Sequence, residues 1–178
     1  MDNKKIISGF IKPNLTVAIV LLIIPIVNFF GLIIFLCATL PALLRANKSL
    51  KKLEAEGQLD KAAAELVSPT GKKYMKGNVL LTDNFVFCKK TGFVFTYDEI
   101  LWTYKFRQTT TYFFIPVKVT DSLYVATKDM KPRLVVSMGK DKHDEIKNAI
   151  LEIYSHNNNC LVGYTNEAKA QYKEMTKK

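Results

Sequence analysis

Between Pro13 and Leu44 the chain runs for 32 residues, PNLTVAIVLLIIPIVNFFGLIIFLCATLPALL, without one charged side chain. About 20 apolar residues cross a bilayer as a helix, and two full crossings need about 40 and a turn. The run is therefore long for one span and short for two. Pro25, Asn28 and Gly31 stand near its middle, where such residues kink or turn a helix. Two arrangements follow. One is a single long span, kinked at Pro25 and tilted; the other is a shallow helical hairpin with arms near 15–25 and 31–44. A buried core helix competes with both, but the rest of the chain is too small to enclose so much apolar length. A cleaved signal peptide fits poorly, because its apolar region is usually about 7–15 residues. Residues 1–45 are thus expected to form a membrane anchor.

The charges flanking this run set its expected orientation. Lys4, Lys5 and Lys12 precede it, and Arg45, Lys48, Lys51 and Lys52 follow it. Basic residues favour the cytoplasmic side. For a hairpin both flanks are cytoplasmic, and both are basic. The expected location is therefore the cell membrane, with the carboxyl-terminal part in the cytoplasm. The three scattered cysteines, Cys37, Cys88 and Cys160, form no disulfide framework and no zinc spacing. They agree with a reducing compartment.

Residues 46–70 read as an amphipathic juxtamembrane helix and linker. Leu50, Leu53, Leu59, Ala62, Ala63 and Leu66 recur at helical spacing, Gly57 marks a break, and Ser68–Pro69 ends the segment. Its basic start suits anionic headgroups; its leucine face equally suits packing on the next domain.

From about Lys72 the pattern changes to short runs rich in Val, Phe, Tyr and Thr. Seven strands are expected, at 75–82, 85–89, 93–97, 100–107, 111–119, 122–128 and 133–138. Pro116 suggests an edge or a bulge. In 142–155 Ile146, Ala149, Ile150, Ile153 and Tyr154 make one apolar helical face. A short apolar piece, 160–164, and a polar helix from about 166 to 175 follow. The domain is set at 71–165, with a short tail helix over 166–178.

Seven antiparallel strands and then one amphipathic helix is the order of the pleckstrin-homology superfold. The segment LLTDNFVF, a glycine turn, FVFTYDEILWTYKF and the later SLYVATKDMKPRLVVSM resemble bacterial PH-like domains. The resemblance covers about residues 72–156. It implies an α+β chain in which a membrane helix or hairpin precedes a bent seven-stranded antiparallel barrel, capped by a carboxyl-terminal helix. The basic cluster that phosphoinositide-binding members carry in the first hairpin loop is replaced here by Asp83–Asn84, so their headgroup pocket is not reproduced.

No catalytic constellation emerges. His143 and His156 lie 13 positions apart at the two ends of one helix, Asp98 and Glu99 would point to opposite faces of a strand, and the glycines are isolated. No enzyme activity, cofactor or metal is expected. Positive charge is the remaining signal: 26 Lys and Arg against 16 Asp and Glu, a net +10. Lys72, Lys73, Lys76, Lys89, Lys90, Lys105 and Arg107 are candidate lipid- or partner-facing residues. The aromatics between them, Trp102, Tyr104 and Phe106, suit a sheet core better than a nucleic-acid surface, and no nucleic acid is expected as a partner. Thr109–Phe114 (TTTYFF) has high β propensity and no charge. It offers either an edge for strand addition or an ordinary sheet strand.

The expected function is a membrane-anchored, non-enzymatic adaptor that faces the cytoplasm and binds the lipid bilayer, anionic headgroups or protein partners. Two alternatives stay open. One is an accessory subunit of a larger membrane complex, with Asn28, Gly31, Ala38 and Ala42 at helix contacts. The other is a domain with non-specific affinity for anionic lipid.

Overall fold

The computed structural model describes residues 2–12, 37 and 39–177. The expected kink residues Pro25, Asn28 and Gly31, and Ala38, lie outside the described residues. The chain divides into two compact units. One comprises the residues up to Thr70 together with Phe87–Val94; the other comprises Gly71–Val86 and Phe95 onward.

The first unit is built on helices α1 (Asn3–Ile11), α2 (Leu40–Ala55) and α3 (Leu59–Val67). The Asp2 carboxylate caps α1 by accepting from the Lys4 N–H, which satisfies one of the orphan donors of the first turn. Ile7 and Ile11, one helical turn apart, are its buried face. Pro41 opens α2, where a missing N–H costs nothing. Ala42, Ala46, Ser49, Leu50 and Leu53 form its buried stripe at three- and four-residue steps. The break between α2 and α3 falls at the expected place, with Gly57 at φ +66°. A second glycine is required by space. Gly92 has φ +75°, and a Cβ there would sit 2.5 Å from the Ala42 carbonyl oxygen and 2.8 Å from the Ala46 nitrogen. The buried Ser49 hydroxyl donates to the Gly92 carbonyl at 3.0 Å, which fixes the same approach.

Among the described residues eight strands form two four-stranded sheets. The first is ordered β1-β2-β3-β4, with β1 (Lys72–Tyr74), β2 (Val79–Leu81), β3 (Phe85–Cys88) and β4 (Phe93–Thr96). The second is ordered β7-β6-β5-β8, with β5 (Ile100–Tyr112), β6 (Ile115–Thr127), β7 (Met130–Gly139) and β8 (Leu161–Val162). β5, β6 and β7 form an antiparallel meander, while β8 runs parallel to β5. Two helices complete the second unit, α4 (Glu145–His156) and α5 (Asn166–Thr176).

This architecture corrects the expected fold. Two sheets of four strands replace one bent sheet of seven. The first half of the expected strand 75–82 is a turn in which Met75, Lys76 and Gly77 all have positive φ; only β2 lies within that range, and β1 precedes it. A parallel strand, β8, forms where only a short apolar piece is expected. No membrane helix or hairpin is found among the described residues: none of their helices is long and apolar enough to cross a bilayer. The longest, α2, has 16 residues, a rise of about 24 Å, and carries Arg45, Lys48, Lys51 and Lys52. Charges at that density oppose burial in a hydrocarbon core of about 30 Å.

The two faces of β5 do different work, as the two-residue period requires. Trp102 and Tyr104 join Ala126, Ala168 and Tyr172 in a core cluster, with Phe106 and Tyr124 against it. α5 closes this face: Trp102 Nε1 donates to the Gly163 carbonyl at 2.7 Å, and the Tyr172 hydroxyl donates to the Thr127 carbonyl at 3.0 Å. The alternate residues, Lys105 and Arg107, meet a buried carboxylate. Asp121 is 0% exposed. It accepts from Arg107 Nε at 2.7 Å and Nη2 at 2.8 Å, and from the Asp141 backbone N–H at 2.8 Å. The Asp141 carboxylate in turn accepts the N–H groups of Glu145 and Ile146 and so caps α4. Lys105 reaches Asp141 at 3.2 Å, Asp121 at 3.6 Å and Asp144 at 3.7 Å. The α4 residues Ile146, Ala149, Ile150 and Ile153 are buried, as their spacing predicts.

The Arg107 hydrogen bonds, opposed by burial and aided by the Asp141 N–H and Lys105, hold the Asp121 carboxyl down at about 2. Its unfolded value is near 3.9. A depressed carboxyl stabilises the fold above the unfolded value, and that contribution is lost as pH falls through the folded one. The difference is worth about 2.6 kcal/mol. Asp121→Asn should therefore lower stability at pH 7 by about 2–3 kcal/mol. In denaturant titrations the gap from the parent protein should narrow between pH 4 and pH 2. Gly92→Ala should cost roughly 2 kcal/mol or more, because it adds both backbone strain and a carbonyl clash. The same titrations at pH 7 measure it.

Candidate functional site

The first unit carries a cleft of about 570 Å³ between the solvent faces of α1 and α2. Asp2, Lys4, Lys5, Ser8 and Lys12 line one side; Leu44, Asn47, Lys48, Leu50 and Lys51 line the other. Helical spacing explains both rows. Lys5, Ser8 and Lys12 follow each other at three- and four-residue steps, opposite the buried Ile7 and Ile11. Leu44, Asn47, Lys48 and Lys51 do the same on α2, opposite Ala42, Ala46 and Leu53. Each row exists because the other face of its helix is buried.

The electrostatics of the cleft are unbalanced. Its single carboxylate, Asp2, is occupied as the α1 cap. Lys4 leans away to Glu54 at 2.7 Å, an exposed pair. Lys5, Lys12, Lys48 and Lys51 have no carboxylate within ion-pair distance among the described residues. Four ammonium groups thus line a cleft that also offers the Asn47 amide, while the Ser8 hydroxyl at its wall donates to the Lys5 carbonyl at 3.2 Å. The ammonium groups and the amide are hydrogen-bond donors of the kind that bind phosphate oxygens.

The cleft also gathers the two ends of the charge-free sequence. Lys12 immediately precedes that stretch and Leu44 is its last residue, and both line the same cleft. Of the basic residues expected to follow the apolar run, Lys48 and Lys51 line the cleft, as do Lys4, Lys5 and Lys12 before it. Lys52 lies 4.0 Å from Glu56, and the Arg45 guanidinium sits over the Phe93 ring at 5.3 Å. The helix α1 is the element missing from the sequence reading. Its signal is present, since Ile6, Ile7, Phe10 and Ile11 are spaced for one apolar face.

The seven other basic candidates are divided between the units and differ in state. Lys89 and Lys90 are exposed in the first unit, with Lys89 Nζ 5.8 Å from the Phe10 ring centre. Lys73 and Lys76 are exposed in the second. Lys72 binds Glu152 of α4 at 2.8 Å. Lys105 and Arg107 are neutralised by the carboxylate network described above, so they are structural rather than ligand-facing. The histidines stay apart: His143 is exposed before α4, and His156 stacks on Tyr97 at 4.2 Å. Burial pushes the Cys160 thiol up to about 12, and pushes the Cys88 thiol up as well. Neither is a ready nucleophile. Among the described residues no group of three or more His, Cys, Asp or Glu is placed to hold a metal ion.

Comparison with protein-family models, with curated proteins and with solved structures found no match to this chain.

Proposed function

We propose that this protein is a non-enzymatic interaction protein that works at an anionic membrane surface, with the lysine-lined cleft of the first unit as its headgroup contact. The observation that carries this reading is the set of four ammonium groups, on Lys5, Lys12, Lys48 and Lys51, which face one cleft without carboxylate partners. Like charges three and four residues apart destabilise a helix slightly. Lys48 and Lys51 are three apart on α2, and setting Lys5 and Lys12 across from them adds a repulsion that an anion in the cleft would reverse. The neighbouring sequence supports a lipid rather than a soluble anion: the cleft borders both ends of a 32-residue stretch with no charge. Interaction rather than catalysis is favoured because the densest group of titratable side chains in the second unit, around Asp121, is spent on internal ion pairs.

Each lysine near an anionic leaflet contributes about 1 kcal/mol. Lys12→Glu, Lys48→Glu and Lys51→Glu together should weaken binding to vesicles of phosphatidylcholine and phosphatidylserine by about 100-fold or more. The parent protein's binding should fall steeply with salt. Co-sedimentation across a vesicle titration measures both. Equal binding by the parent and the triple variant would overturn the proposal.

A further inference from the structure

The β5–β6 hairpin ends in a feature that the fold of the second unit does not explain. Each strand has 13 residues. β7 pairs with β6 only from Thr120 onward, and β8 meets β5 only at Trp102 and Thr103. From Gln108 to Val119 the hairpin is therefore a two-stranded ribbon standing beyond the sheet, and every residue from Gln108 to Lys118 is exposed. The register shift between Thr110 and Thr111 admits Pro116 at a bulge. Tyr112 pairs with Ile115, and the connection is the two residues Phe113 and Phe114. Both have positive φ, 45° and 66°. A two-residue turn of this hand matches the strand twist, but it calls for Asn, Asp or Gly. Bulky side chains occupy that region rarely. Here two phenylalanines occupy it, 78% and 99% exposed, with Tyr112, Ile115 and Val117 exposed beside them.

The two phenylalanines strain the turn and, so exposed, bury little apolar surface within the chain. Strain and exposure at one point are the mark of a contact made outside the chain. The chemistry along the ribbon indicates which. Two phenylalanines form the tip, followed by Tyr112, Ile115 and Val117. The uncharged Thr109, Thr110 and Thr111 stand behind them, and Lys118 lies opposite Thr110. No carboxylate occurs between Gln108 and Thr120. Apolar tip, aromatic and hydroxyl zone, then cation is the order of groups met on leaving a bilayer from acyl chains to headgroups. Four residues of strand separate Phe114 from Lys118, about 13 Å. That is enough for the tip to lie below the headgroups while the ammonium stays among the phosphates.

We propose that the β5–β6 ribbon is a membrane-insertion finger whose Phe113–Phe114 tip enters the interface of an anionic bilayer. This shares the lipid surface with the preceding proposal but rests on different residues in the other unit, and the two fail separately. The test uses full-length protein with Cys37→Ser and Phe114→Cys, since Cys88 and Cys160 are buried. An environment-sensitive nitrobenzoxadiazole label is placed at position 114, with a control label at Lys131→Cys. On phosphatidylcholine–phosphatidylserine vesicles the tip label should brighten several-fold, shift to the blue and be quenched by lipids carrying a quencher in the upper acyl chain. The control label should do none of these. A second variant separates insertion from folding. Phe113→Asn with Phe114→Gly supplies the residues the turn prefers, so its melting temperature should hold or rise while vesicle affinity falls at least tenfold. Protein that sediments with vesicles while its tip label stays in a water-like state would overturn the finger and leave the lysine cleft standing. Loss of sedimentation in the cleft variant, with an unchanged tip response in whatever fraction stays bound, would support both. A tip response that needs protein concentration and not lipid would overturn insertion and identify a second copy of the chain as the occupant. No sedimentation of the parent protein would overturn both.

Discussion

A single buried carboxylate organises the second unit. Asp121 takes two hydrogen bonds from Arg107 on the neighbouring strand and one from the backbone N–H of Asp141. Asp141 then gives its own carboxylate to the first turn of α4. One charge thereby joins β5, β6 and the helix start without a long hydrophobic contact. Asp141 illustrates how this network balances: burial pushes its carboxyl up, yet the Ile146 and Glu145 N–H groups and Lys105 outweigh burial and hold it low. Both carboxyls are held low because each of their oxygens accepts at least one hydrogen bond within the fold. The same residue marks a change in architecture. At Asp121↔Met138 and Thr120↔Gly139 the meander is three strands wide; one step further it is two. The network holds the ribbon firmly at its root where the width is lost, and this lets a two-stranded hairpin, marginal by itself, project from the unit.

The helical features from Gly57 onward were the most legible in the sequence, whereas α1 and the start of α2 lay inside the expected anchor. The break at Gly57, the apolar face of α4 and the last helix all follow from local spacing, and local spacing is what a helix reads. The expected core role of Trp102 and Tyr104 also holds, because period two and burial agree. The strands were less legible. Separate strands were expected at 100–107 and 111–119, with 108–110 between them. The actual turn lies at Phe113–Phe114, inside the most β-prone run of the chain. No turn residue announces it, so propensity and pattern both point the wrong way there. Met75 and Lys76 mislead similarly: with Gly77 they form a left-handed turn where the first strand was expected to begin, and only Gly77–Asn78 signals it. The seven-stranded expectation failed where turns fall inside expected strands, and where β6 runs unbroken through the gap expected at 120–121.

The charge pattern was legible as an excess and not as an arrangement. Lys105 and Arg107 share a strand face, as period two requires, but a sequence does not show that Asp121 and Asp141 meet them there. Conversely, the two basic flanks of the apolar run look like independent signals about orientation. Their convergence on one cleft depends on α1 lying against α2, a contact between residues about 40 positions apart. Counting charges would rank all these lysines alike. Their partners separate them: carboxylates neutralise one set within the fold, and the other set is left facing a cleft.

That separation bears on how such a cleft persists. A fold gains nothing from four ammonium groups around one space, since their mutual repulsion is screened but not cancelled by salt. Nor do the buried faces of α1 and α2 require lysine opposite them; Glu at Lys5 or Lys48 would preserve every apolar contact and add attraction across the cleft. The packing of Ile7, Ile11, Ala42, Ala46 and Leu53 fixes the backbone of both helices, and the solvent face is free to carry either sign. An excess of one sign on a face that packing leaves unconstrained is a feature the fold itself does not demand. The same logic reads the hairpin tip. Asn-Gly at Phe113–Phe114 would relax the turn and keep every ladder hydrogen bond, so the aromatic pair is a choice the fold does not impose. In both places the residues oppose what local stability would select, and in each the proposed contact with anionic lipid would offset the conflict.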